Sequence, residues 1–222
     1  MKRLLTAAAI ALAGPAAAQE GIETPDYTLV GGSDDVFAGG VAHRLYAPTL
    51  VAEVTVEAGD AREASSMGFM PLASYIFGAN APGESIDMTA PVAAAPVVSE
   101  RQDMAGGSGE KIAMTAPVGT APDGDGTFRV RFHMPSEWTM ETLPAPEDPA
   151  VTFREIPERA MVVAGFTGPE SAEAMAEAEK RARAFAEEEG LEITGPFERA
   201  GYDGPDTPDA EKRWAVMAAV AR

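Results

Sequence analysis

Two histidines, His43 and His133, and no cysteine are what this 222-residue chain offers for nitrogen or sulfur chemistry of the common kinds. The lack of cysteine excludes disulfides, thiolate metal sites and a cysteine nucleophile. Two histidines leave little for a histidine-based metal cluster. The sequence shows no nucleophile triad and no phosphate-binding glycine loop. Carboxylates are abundant, yet none stands as an isolated pair in an apolar setting, so acid–base chemistry has no visible seat. Asp+Glu number 35 against 17 Lys+Arg, a net charge of -18 that repels phosphate backbones and argues against nucleic acid as a partner.

The residues that could hold a ligand lie on one segment. Asp60–Phe77 has helical character and ends at Gly78, a suitable stop. On a helix, Phe69, Leu72, Ala73 and Ile76 share one face, and Met67, Met70, Ser74 and Phe77 fall on the adjoining one. The apolar arc then covers roughly 220°, wider than the core stripe of an ordinary surface helix. One face packs on a sheet; the second needs another cover, and methionines suit a pliable binding surface. The competing expectation is that Met67, Met70 and Phe77 sit under a loop as ordinary core. Gly68 and Pro71 are the points where this helix would kink.

Other elements must position that helix. Residues 1–18 have a basic start (Lys2, Arg3), an apolar run and a small-residue Ala16-Ala17-Ala18 end, the pattern of a secretory signal peptide. The apolar run of about 11 residues is shorter than the roughly 20 that span a bilayer. Its removal takes two cations and brings the charge from -18 to -20. Residues 19–40 are rich in Gly and Asp and read as a flexible segment. Strands are predicted over Val41–Tyr46, Leu50–Val56, Ile86–Val92, Lys111–Val118, Thr127–Met134, Val151–Ile156 and Ala160–Thr167. A second helix opens at Pro169 and ends at Gly190, with Met175, Ala178, Ala182 and Phe185 as its core stripe. Leu191–Thr194, Phe197–Tyr202 and Arg213–Val220 are closing strands. Each half reads strand-strand-helix-strand-strand. The expected fold is α+β: a barrel-like antiparallel sheet with two flanking helices, built from two pseudo-symmetric halves.

Ile86-Asp87-Met88-Thr89-Ala90-Pro91-Val92 is nearly repeated by Ile112-Ala113-Met114-Thr115-Ala116-Pro117-Val118. Gly68-Phe69-Met70-Pro71-Leu72-Ala73-Ser74-Tyr75-Ile76-Phe77-Gly78-Ala79-Asn80 lies upstream. Phe132-His133-Met134-Pro135-Ser136 and Tyr202-Asp203-Gly204-Pro205-Asp206-Thr207-Pro208 lie downstream. This ordered set resembles the SOUL haem-binding protein family, over a domain taken as residues 41–222. The resemblance implies a barrel of antiparallel strands flanked by two helices and non-covalent binding of haem or a related tetrapyrrole, without established catalysis. It also implies a haem groove along the helix that holds Met67 and Met70. Two departures stand out: Arg213-Trp214-Ala215-Val216 replaces an Arg-Asn-Glu-Val run, and Leu45 falls where some members place a histidine proposed as axial ligand.

A haem needs a flat apolar slot, cations for its propionates and, optionally, an axial donor. The candidate slot is Met67, Phe69, Met70, Ala73, Ser74 and Phe77. The candidate cations are Arg62 and Arg44, with Lys111 as a further one. His43 shares a strand face with Leu45 and is the candidate metal ligand. His133 alternates with Arg129 and Arg131 and is expected to face solvent. The MTAPV segments, Trp138 and Trp214 read as scaffold. The expected protein is a periplasmic or secreted haem binder with no catalytic residue and no membrane span. The alternatives are a binder of another amphiphilic small molecule, or a hydrolase using Glu63 or Glu84.

Overall fold

A computed structural model describes residues 22–81, 109–124 and 126–221. Alternating apolar residues form nine strands of one antiparallel sheet: β1 (Tyr27–Gly32), β2 (Val41–Tyr46), β3 (Thr49–Glu57), β5 (Val118–Gly124), β6 (Thr127–His133), β8 (Thr152–Ile156), β9 (Arg159–Thr167), β10 (Glu198–Gly201) and β11 (Arg213–Ala219). Two short strands, β4 (Asn80–Ala81) and β7 (Ala145–Pro146), pair apart from it. Helix α1 is Ala61–Ile76 and α2 is Ala172–Glu188. The strand order β1-β2-β9-β11-β10-β5-β6-β3-β8 describes a curled half-barrel.

That order reveals the duplication. The first half is β2-β3-α1-β5-β6 and the second β8-β9-α2-β10-β11. Each half lends its first strand to the other: β2 pairs with β9 of the second half, and β8 pairs with β3 of the first. The halves also meet at the centre, where β5 pairs with β10.

Both helices lie on one face of the sheet. Asp60 caps α1 by accepting from the amides of Arg62 and Glu63, and the Glu63 carboxylate accepts from the Gly59 amide. The helix continues through Pro71. Its core side presents Ala64, Leu72, Ala73, Tyr75 and Ile76 to Val54, Val130 and Phe132. Gly68 makes that approach close: a Cβ there would sit 2.6 Å from Val130 Cβ. At the far end, Gly78 turns at φ 103°, and the Asn80 side-chain amide donates to the carbonyls of Tyr75 and Glu110. Asn80 Oδ1 accepts from the Glu110 amide, tying the chain before Ile112 to the helix end. Helix α2 packs through the buried Ala178, Ala182 and Ala186, flanked by Met175 and Phe185. Its cap is Ser171, two residues beyond Pro169.

Leu191–Thr194, expected as a strand, makes only the isolated bridge of Ile193 to Val220, and three more places differ from the sequence reading. Within residues 19–40, β1 pairs with β2 and Val36 is fully buried. Tyr27 and Leu29 face the core while Thr28 and Val30 face out, an alternation of only four residues masked by its Gly- and Asp-rich surroundings. Lys111–Val118 enters the sheet only at Val118, because Pro117 has no amide for the ladder. The predicted Ile86–Val92 strand lies outside the described residues.

The third is His133. The face of β6 opposite Val130 and Phe132 is covered, and His133 is 8% exposed. On that face Glu53 accepts two hydrogen bonds from Arg154, and Glu198 pairs with Arg131 and Arg159. Burial, then the charges of Arg159 and Arg131, push the His133 pKa down from 6.5 to about 3.

Two predictions follow from this packing. Glycine-to-alanine in a helix interior ordinarily stabilises by up to about 1 kcal/mol; Gly68→Ala destabilises instead, by about 1–3 kcal/mol in urea unfolding, because the new methyl meets Val130. A neutral or stabilising effect contradicts the close approach. His133 takes a proton in the unfolded chain below about pH 6.5 but stays neutral in the fold down to about pH 3. It therefore contributes stability that is full above 6.5 and is lost as pH falls through that window, by up to about 1.4 kcal/mol per pH unit. Between pH 7 and 5 the parent loses stability more steeply than His133→Gln; equal slopes contradict the assignment.

Candidate functional site

A groove of about 320 Å³ runs along α1 on the helix face, within the roughly 300–1,000 Å³ of small-molecule sites. Ser65, Ser66, Phe69 and Met70 of α1 line it. Met114, Thr115 and Ala116 of the second MTAPV segment line it too, with Gly201 at the end of β10, the turn after it (residues 202–205), Lys212 and Trp214. Met70 is 50% exposed and Met114 38% exposed, unusual for residues of this size and apolarity.

Arg199 stands at the junction of these parts. Its Nε and Nη2 donate to the Glu170 carboxylate at 2.5 and 2.9 Å, and its Nη1 donates to Ser65 Oγ at 3.0 Å. The guanidinium lies 4.5 Å from the Trp214 ring centroid, and Trp214 Nε1 donates to the Gly168 carbonyl. One arginine thus links α1, the start of α2 and β11. Lys212 Nζ pairs with Asp209 at 2.7 Å. The nearly buried Asp203 carboxylate is occupied by Arg213.

The residues singled out in the sequence do not all meet here. Phe69 and Met70 line the groove. Met67 is 48% exposed a turn earlier on α1, outside the groove wall. Ala73 is fully buried against the sheet, and the partly buried Phe77 packs on the same core; neither lines the groove. Ser74 is exposed but away from the groove. Arg62, at the start of α1, lines a neighbouring cavity with Glu170 and Arg199, and its Nε is 4.0 Å from Glu170.

Arg44 and His43 take different places from those expected. Arg44 points to the other face of the sheet, is 4% exposed, pairs with Asp34 at 2.8 Å and lies 4.1 Å over the Tyr27 ring. A guanidinium so enclosed is a structural cation and cannot meet a propionate in the groove. Alternation puts His43 between Val41 and Leu45, which pack on the α2 cluster. Its Nε2 is buried without a hydrogen-bond partner. β2 lies beside β9 under α2, not beside α1, so His43 is away from the groove. Lys111 is exposed and outside the groove.

Sequence reasoning missed Met114, Arg199, Lys212 and Trp214. Two signals existed. Met114 is a methionine of the repeat, and Trp214 stands within the run that departs from the Arg-Asn-Glu-Val pattern.

The groove has the apolar walls a haem needs, from Phe69, Met70, Met114, Val118 and Trp214, and one border cation, Lys212, whose partner Asp209 is exposed; Arg199 is held by Glu170 and Ser65 and is not free for a propionate. Neither histidine lines it. A haem bound here would supply its own redox and gas-binding chemistry, and these residues would hold it and limit solvent access.

The fold is similar to that of a hydrolase from Listeria innocua, at 12% identity and a TM-score of 0.50 over 82% of this chain and 91% of that one. It is also similar to the EcmrR C-terminal domain, at 13% identity and a TM-score of 0.55 over 82% and 97%. At such identities these likenesses concern the fold alone. No curated protein matches the chain. The family model for SOUL heme-binding protein matches residues 22–105 and 101–218, taking in the α1 motif, both MTAPV segments and the β10–β11 turn. Haem binding is the function that this match supports, and the chain belongs to the SOUL heme-binding protein family.

Proposed function

We propose that the protein binds haem or a related tetrapyrrole non-covalently in the groove beside α1, as a carrier, buffer or sequestering protein in the periplasm or outside the cell. The observation that carries this reading is the apolar edge of α1 left exposed among the described residues, where Met70 faces the groove instead of the sheet. The signal-like pattern of residues 1–18 supports the location. A net charge of -18 opposes long-range capture of an anionic ligand, so affinity comes from contact burial with Lys212 at the border. We read the protein as a binder without a catalytic step. Of the carboxylates a hydrolase would draw on, Glu63 is engaged as part of the α1 cap, and Glu84 lies outside the described residues.

Hemin titration of the chain from residue 19 onward, followed at the Soret band, tests the reading. The parent shows saturable binding. Met70→Ala and Trp214→Ala each weaken it by about tenfold, the size of about 1.4 kcal/mol of lost contact, while the exposed control Glu188→Ala leaves it unchanged. Absence of a saturable spectral change in the parent overturns the proposal, and equal affinity in all variants removes the groove as its seat.

A further inference from the structure

The groove's polar atoms are nearly all committed to other partners, and this narrows what can face a bound iron. Ser65 Oγ accepts from Arg199, Ser66 Oγ donates to the Arg62 carbonyl, and Thr115 Oγ1 donates to the His133 carbonyl. The Asp203 carboxylate is held by Arg213, and Lys212 Nζ, paired with Asp209, is an ammonium without a free lone pair. The Tyr202 phenol is buried beside Tyr46 and Arg44, toward the other face of the sheet. His43 lies under α2 and His133 on the covered face of β6. What remains among the described residues are two thioethers from separate parts of the chain, Met70 on α1 and Met114 in the segment before β5, both substantially exposed at the same groove.

We infer that the iron donor of this protein is a methionine thioether supplied by the Met70/Met114 pair, not an imidazole. The inference rests on the reading that haem occupies the groove. Its physical basis is that thioether sulfur is a soft ligand, suited to the reduced metal, and that an axial methionine raises the haem potential. A site built this way holds ferrous haem more tightly than ferric haem. It also explains how a member of the family can carry Leu45, and a His43 placed away from the groove, without losing a protein donor.

The test uses Met70→Leu, Met114→Leu and the double variant, because leucine keeps the apolar bulk and removes only the sulfur. Absorption, near-infrared magnetic circular dichroism and redox titration are recorded on the hemin complexes. The parent is expected to show the thioether-to-iron(III) charge-transfer band. At least one single variant weakens it, the double variant abolishes it, and the midpoint potential falls with it, while hemin affinity drops less than threefold. A parent complex with a Soret band but no thioether band overturns the inference and leaves the groove reading standing. A band that survives in the double variant also overturns it, because the sulfur then comes from elsewhere. A parent that forms no hemin complex overturns both, and His43→Ala changing the spectrum in place of the methionine variants assigns the donor to the imidazole.

Discussion

The close contact between α1 and the sheet over Gly68 sets the geometry of everything around it. With no side chain there, the helix backbone settles against Val130 and Val54. Leu72, Tyr75 and Ile76 then complete the core from one side of the helix. The remaining apolar surface is left without sheet to cover it, and Met70 turns outward. A bulkier residue at position 68 would lift and roll the helix, and the groove wall would move with it. The groove is therefore a by-product of tight packing on the neighbouring face. That is how a rigid binding edge can form without a dedicated loop.

The exchange of strands between the halves explains why the groove stands where it does. One wall, α1, belongs to the first half, and the opposing turn and Trp214 belong to the second. The halves join at β5 and β10, where Val118 pairs with Gly201, and both residues line the groove. Arg199 ties the same junction by reaching Ser65 in one half and Glu170 in the other. Groove-lining and inter-half contacts thus share residues, so a ligand seated in the groove would stabilise the pairing of the two halves.

Most of the architecture was legible in the sequence because it follows from local periodicity. The α1 stripe, the alternation in β6 and the Gly190 stop on α2 each depend on residues near one another in the chain. What was not legible depends on which strands become neighbours. His43 was placed on the correct face of its own strand, but the exchange carries that strand beneath α2. His133 was placed opposite Val130 and Phe132 as found, yet the far face is closed by the N-terminal segment and by ion pairs with partners far along the chain. Arg199 and Trp214 acquire meaning only when β10 and β11 come beside α1. The exposed Met67 and Met70 agree with the wide apolar arc, whereas Ala73 and Phe77 show that this arc is shared between core and ledge.

The central claim is that a planar tetrapyrrole lies against α1. Methyl NMR of methionine-labelled protein, titrated with a diamagnetic metalloporphyrin, reports this residue by residue. Large ring-current shifts are expected at Met70 and Met114, with Met134, Met161 and Met217 nearly unmoved. Shifts at Met161 or Met217 with Met70 and Met114 unchanged would put the ligand on the opposite face of the sheet and contradict this placement.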